Sequence, residues 1–425
     1  MEQTPKANRV HIGFFGRCNA GKSTLINMLT DQPVSLVSEV AGTTTDPVSK
    51  SMEILPLGPV VITDTAGIDD TSELGALRIE KSEEIIKKIN LAVYVLRNDE
   101  APTADDMMWL NKLKQNNVPI ALFINKINAF DSESAHDNDS NGNDTNLNYV
   151  DAYPDLSAIA TVVGSTDFTS NRDRLTLLDL LGGLTPLDVE GEQSLLQGLV
   201  DPGDTIILVC PIDSAAPKGR LILPQVQTIR EILDHKGLAL VCQTEELPTM
   251  LNKLSQKPKL VITDSQAFEA VNALTPADIP LTSFSILMAR FKGKLQDLVT
   301  GVKALNNLKP GARVLISEGC THRRQCDDIG TVKIPMWLKK KGHTDLQLEF
   351  TSGGAFPKDV SGYDLIIHCG ACMLTRREVL RRIDCAVVQG TPIVNYGVLI
   401  ASLHGILERA ISPFMDELDR KGFEC

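Results

Sequence analysis

Five residues suited to holding a metal fall in two short stretches, Cys320-Thr321-His322 and His368-Cys369-Gly370-Ala371-Cys372. The spacer between them, Arg323 to Ile367, is too long for a small zinc-knuckle loop, so each half must sit on a larger fold. Three thiolates, Cys320, Cys369 and Cys372, with one open position suit an iron-sulfur cluster better than structural zinc, which closes a set of four ligands. A structural zinc site that uses His322 or His368 is the alternative. Cys326 is either a further thiolate or a spare surface cysteine.

A second constellation is Gly16-Arg17-Cys18-Asn19-Ala20-Gly21-Lys22-Ser23. Such a run cradles phosphates on backbone N–H groups, with Lys22 reaching the β/γ oxygens and Ser23 able to ligate Mg²⁺. Gly16, Asn19, Gly21, Lys22, Ser23 and Thr24 would form that cradle. Further along, Asp64-Thr65-Ala66-Gly67 supplies a carboxylate to hold Mg²⁺ through water and, in Gly67, an N–H for the γ-phosphate. Between them lies the polar run Ala41 to Asp46, from which Thr44 is expected to close on Mg²⁺ in the triphosphate state. Lys22, Thr44 and Gly67 are therefore expected to act in hydrolysis.

These residues need a scaffold of strands that deliver them. Val10 to Phe15 reads as a strand running into the phosphate loop, and Thr24 to Leu29 as the helix that leaves it. Pro59 to Thr63 and Val118 to Ile124 read as further buried strands, the second ending in Asn125-Lys126-Ile127-Asn128. Ile159 to Val163 reads as a strand before a loop Gly164-Ser165-Thr166. Residues 131–148, rich in Asp, Asn and Ser, read as a disordered insertion. Val314-Leu315-Ile316 and Leu365-Ile366-Ile367 each lead into a cysteine segment. If those two strands are parallel and close, their carboxyl ends bring Cys320 onto Cys369 and Cys372 without a special loop.

The middle region alternates a strand from Asp204, a helix Val226 to His235, and strands Leu238 to Val241 and Leu260 to Thr263. It reads as an association domain, with Asp213, Lys218 and Arg220 in an ion-paired loop or an interface. The expected division is a P-loop domain at 1–185, an association domain at 186–280 and a cluster-binding domain at 281–425 opening at Leu281. All three are α/β, the last two with largely parallel sheets.

Composition narrows the function classes. The 425 residues carry a formal charge of −12 and only 4% aromatics, which opposes broad attraction to nucleic acid or an anionic membrane. Nine cysteines in a chain without an apolar leader imply a reducing, cytoplasmic setting. No apolar run of about eighteen residues is present to span a membrane.

Asn125-Lys126-Ile127-Asn128 resembles the guanine-reading motif of the small GTPases, with Asn128 in place of the usual Asp. Asn19, the Gly42-Thr43-Thr44 run and Ile68 after Gly67 resemble the K⁺-using GTPases of tRNA modification and ribosome assembly. That resemblance implies slow, K⁺-stimulated GTP hydrolysis to GDP, with Asn19 helping to hold K⁺.

Over nearly the whole chain, the runs Ala216 to Gln225, Thr282 to Leu287, Cys320-Thr321-His322, Asp327 to Gly330 and His368 to Met373 resemble the FeFe-hydrogenase maturation GTPases. The resemblance implies a 4Fe-4S cluster on Cys320, Cys369 and Cys372 with an exchangeable fourth position. His322 and His368 are then ligands or groups that tune the thiolates. It further implies a homodimer that carries a transient two-iron precursor to apo FeFe-hydrogenase and meets the radical-enzyme maturases. Two other readings compete: a translation-associated K⁺-dependent GTPase with a structural metal, and a radical enzyme using S-adenosylmethionine. The last needs three cysteines in one short run, and here they are split.

Overall fold

The computed structural model describes residues 9–30, 48–54, 57–65, 82–125, 152–166, 171–184, 194–212, 221–319 and 328–419. The chain divides into two compact units, Met1–Glu192 and Gln193–Cys425.

The first unit is a six-stranded sheet in the order β2-β3-β1-β4-β5-β6. The strands are β1 (Val10–Phe15), β2 (Val48–Ile54), β3 (Gly58–Asp64), β4 (Leu91–Arg97), β5 (Ile120–Asn125) and β6 (Thr161–Thr166). All pairs are parallel except β2 with β3. A parallel sheet covered on both faces needs strands that are apolar throughout, and β4 is buried from Leu91 to Leu96. Leu91, Val93 and Val95 face Leu25, Ile26 and Leu29 of the helix Lys22–Thr30. Ala92, Tyr94 and Leu96 face Trp109, Leu110 and Leu113 of the helix Ala104–Gln115. Each such large apolar side chain contributes about 1.5–3 kcal/mol. β2 carries Ser49, Lys50, Ser51 and Glu53, a polar composition that suits a sheet edge.

One element differs from its sequence reading. Pro154 opens a helix that runs to Ile159, since its missing N–H costs nothing at a helix start. The strand begins only at Thr161, so Gly164, Ser165 and Thr166 are the last rungs of β6, opposite Phe123, Ile124 and Asn125. The 131–148 insertion lies outside the described residues.

The second unit holds two parallel four-stranded sheets that share one continuous hydrophobic core. The first, in the order β10-β9-β7-β8, contains β7 (Thr205–Val209), β8 (Leu238–Cys242), β9 (Leu260–Thr263) and β10 (Leu281–Ser283). Leu281, expected to open the last domain, is instead in the edge strand of this middle sheet, with Leu281 opposite Val261. Ser283 Oγ then accepts the Ile286 N–H and turns the chain directly into the helix Phe284–Lys292. The second sheet has the order β12-β11-β13-β14, from β11 (Arg313–Glu318), β12 (Gln347–Ser352), β13 (Leu365–His368) and β14 (Ile393–Asn395). Its chain leaves β11 to one side for β12 and returns on the other side as β13. The order reverses between β11 and β13, the place where open α/β sheets leave a crevice at their carboxyl ends. Among the described residues, no helix is long and apolar enough to cross a membrane.

Candidate functional site

The loop between β1 and the helix Lys22–Thr30 has three residues in the left-handed region: Gly16 (φ 138°), Asn19 (φ 58°) and Gly21 (φ 100°). At Gly16 an added Cβ would lie 2.5 Å from the Val95 carbonyl oxygen, so only glycine lets the loop pass this close to β4. Lys22 is buried, and its Nζ donates to the carbonyls of Gly16 (2.9 Å) and Arg17 (2.8 Å). The ammonium is thus held inside the concavity that a phosphate chain would fill. Asn19, Ser23 and Thr24 are exposed on the same loop and first helical turn.

Asp64 ends β3, and Ser23 Oγ donates to its Oδ2 at 3.4 Å. Its Oδ1 is buried with no hydrogen-bond partner among the described residues. Burial pushes the Asp64 carboxyl up, against the Lys22 ammonium and the Ser23 hydroxyl. A buried carboxylate oxygen lacking a donor beside an exposed serine hydroxyl fits a hydrated Mg²⁺. Asn125, at the end of β5, donates from Nδ2 to the Ala20 carbonyl at 3.0 Å and ties β5 to the phosphate loop. Thr44, Gly67, Lys126 and Asn128 lie outside the described residues.

A network behind the loop, buried at Asp106 and Tyr94, escapes the sequence. Arg17 Nε lies 3.2 Å from Asp106 Oδ2, and its Nη1 lies 2.6 Å from Glu100 Oε2. Asp106 also accepts from Tyr94 Oη (2.9 Å) and from the Thr103 N–H (2.8 Å), completing the capping box of the helix Ala104–Gln115. Every oxygen of this buried carboxylate has a donor, as burial of charge requires.

In the second unit, β11 and β13 are adjacent and parallel, with Ser317 opposite His368. Cys369 therefore leaves β13 level with the end of β11, whose next residues are Gly319 and Cys320. Cys369 Sγ accepts the N–H of Gly319 (3.0 Å) and of Ala371 (3.3 Å). Ala371 takes a left-handed φ of 56°, and the turn closes with Leu374 N–H donating to the Ala371 carbonyl at 3.1 Å. A Cβ on Gly319 would sit 2.6 Å from Leu374 Cγ, so the two cysteine-bearing segments approach closely because one of them carries glycine. Burial pushes the Cys372 thiol up, and the Lys292 ammonium and nearby backbone groups oppose the shift.

His368 has both ring nitrogens engaged. Arg382 Nη1 lies 3.1 Å from Nε2, and the Cys369 carbonyl lies 2.9 Å from Nδ1. A guanidinium can only donate, so Nε2 accepts and Nδ1 carries the proton. Burial, reinforced by Arg382, pushes the imidazole down to about 4. Arg382 in turn donates to Glu378 Oε1 (2.8 Å) and to the Gly353 carbonyl (2.6 Å). Burial alone would push the Glu378 carboxyl up, yet Arg381 and Arg382 hold it below its ordinary value.

Among the described residues, no three potential metal ligands gather; Cys320, His322 and Cys326 lie outside them. The described half fits an iron-sulfur cluster: two thiols at a strand end, two N–H donors on one sulfur and a buried cation beside the other.

Comparison with known proteins divides the chain along the same lines. Residues 11–126 match the 50S ribosome-binding GTPase family. The tRNA modification GTPase MnmE of Endomicrobium trichonymphae is 32% identical over 121 residues, 28% of this chain and 26% of that protein. The GTPase Der of Campylobacter curvus is 34% identical over 114 residues, 27% of this chain and 24% of that protein. The chain thus spans about a quarter of the length of these curated relatives. Among solved structures, an Era variant from Aquifex aeolicus bound to GDP and aluminium fluoride matches at 19% identity and a TM-score of 0.34, covering 54% of this chain and 91% of that one. Toc33 from Arabidopsis thaliana in complex with GDP and Mg²⁺ matches at 16% identity and a TM-score of 0.30, covering 44% and 86%. Residues 195–293 match the Hydrogen maturase F dimerization domain and residues 296–413 its tetramerization domain. With a P-loop GTPase domain followed by these two domains, which together take up more than half of its residues, the chain belongs to the hydrogen maturase F family.

Proposed function

We propose that this chain is a GTP-hydrolysing scaffold and carrier that holds a 4Fe-4S cluster on Cys320, Cys369 and Cys372 and delivers a two-iron precursor to immature FeFe-hydrogenase. The observation that supports this most is the parallel pairing of β11 with β13, which aligns the segment before Cys320 with the one that opens at Cys369. When bound, the cluster supplies an iron with an exchangeable position, to which a cargo can attach. The chain's own residues do the rest. Gly319 and Ala371 donate to the Cys369 sulfur, and His368, locked by Arg382, holds the Cys369 carbonyl.

In the first unit, Lys22 would transfer its hydrogen bonds from the loop carbonyls to the β/γ-phosphate oxygens of GTP. Ser23, Thr44 and Asp64 would hold Mg²⁺, and Gly67 the γ-phosphate. Asn125, Lys126 and Asn128 would read the guanine. Asn19 would hold K⁺ where developing charge on the phosphates needs it. The outer strand β8 exposes Leu238 and Val241, and the helix Leu223–Asp234 exposes Val226 and Leu233. An apolar sheet edge of this kind suits pairing with a second copy in a cytoplasmic homodimer.

The test is activation of apo FeFe-hydrogenase by protein charged with iron, sulfide and precursor. The unaltered protein should restore hydrogen turnover, and Cys369→Ser should restore none while its GTP turnover stays within about twofold, the two sites being on separate units. Full activation by Cys369→Ser would remove the scaffold role.

A further inference from the structure

The helix Phe284–Lys292 runs beneath the Cys369–Cys372 loop. Near its start, a Cβ on Gly370 would lie 3.2 Å from Ser285 Oγ. Midway, Met288 and Ala289 line a small cavity together with Cys369, Gly370 and Ala371. At its end, Lys292 is 1% exposed, and its Nζ donates to the carbonyls of Cys372 (3.1 Å) and Leu374 (2.8 Å). Gly293 follows directly, where a Cβ would meet the Ala289 carbonyl oxygen at 2.8 Å, so the helix stops with Lys292 fixed under the loop.

A buried ammonium is costly to keep unless it is hydrogen-bonded and opposite charge stands near it. The Lys292 ammonium meets two carbonyls of the loop and stands near the Cys372 thiol, so an anionic cluster held on that sulfur would lie in its field.

We propose that Lys292 is a positioning residue of the cluster site, clamping the backbone on both sides of Met373 and setting a fixed positive charge beside the cluster. The proposal rests on the cluster reading above. A positive charge near a cluster favours the form with one more electron and so raises its reduction potential. Removing the charge should lower that potential, whereas losing a purely structural brace should not move it.

The experiment uses the full chain with Lys292→Met, Lys292→Gln and Lys292→Arg, each reconstituted anaerobically with iron and sulfide. Iron per chain and the midpoint potential of the cluster are measured, with circular dichroism and the melting temperature of the full chain as the control for folding. Lys292→Met should bind less iron, and its cluster should be reduced only at a more negative potential. Lys292→Gln, which keeps one donor for the carbonyls, should retain more iron yet show the same negative shift, and it reads the charge if Lys292→Met does not fold. Lys292→Arg should stay near the unaltered potential. If both neutral variants keep the unaltered potential, the role of Lys292 is overturned while the cluster stands. If the unaltered protein takes up no iron, the cluster reading falls and this proposal with it.

Discussion

Lys22 is the only cation whose hydrogen bonds to the Gly16 and Arg17 carbonyls already place it inside the phosphate concavity among the described residues. Lys22→Ala should therefore abolish nucleotide binding at concentrations that saturate the unaltered protein, read by calorimetry. Asn19→Ala should keep binding and lose the K⁺ stimulation of hydrolysis; equal rates in K⁺ and Na⁺ for the unaltered protein would remove the cation site. Asn128 replaces a carboxylate with an amide, which presents one acceptor where guanine offers two donors. The lost charge-assisted bond costs about 1.5–3 kcal/mol, so Asn128→Asp should tighten GTP about tenfold to hundredfold and weaken competition by xanthosine triphosphate. An unchanged affinity would show that another group reads the base. The strand ends near Lys22, Ser23, Asp64 and Asn125 were legible in sequence because each closes a long apolar run. Arg17 with Asp106, and Lys292 with Cys372, were not, because their partners lie far along the chain and only the fold brings them together.

Gly319 illustrates how whole elements are brought into range. Its missing side chain lets the end of β11 touch Leu374, on the far side of the cysteine turn. Gly319→Ala should lower the melting temperature through an overpacking cost of about 1–3 kcal/mol. Leu374→Ala in the same chain should recover part of that loss, whereas simple additivity of the two changes would show that the contact is not the cause. At this scale the apolar strands β1, β3 and β5 were readable from composition, because a sheet covered on both faces leaves no polar alternation. The short elements were less so. A three-residue strand such as β10 carries too little pattern to assign to one sheet or the other, and Ile159 could end a helix as readily as begin a strand.

Within the second unit, the exposed edge at β8 has a consequence that can be measured. Val241→Lys combined with Leu238→Lys should convert a dimer into monomers by sedimentation while leaving GTP turnover unchanged; a dimer that persists would place the interface elsewhere. The family of the molecule follows from its three successive domains, while any coupling of GTP turnover to the proposed cargo transfer has no local signature in the sequence. The proposed role depends on which metal Cys320, Cys369 and Cys372 would hold, and three thiolates with one open position are the feature that favours a cluster over a structural zinc ion. The most direct measurement is anaerobic reconstitution of the full chain followed by iron, sulfide and zinc analysis and electron paramagnetic resonance of the reduced protein. About four iron and four sulfide per chain are expected, with a signal lost in Cys320→Ser, Cys369→Ser and Cys372→Ser alike. One zinc per chain, with no sulfide and no signal on reduction, would contradict the account.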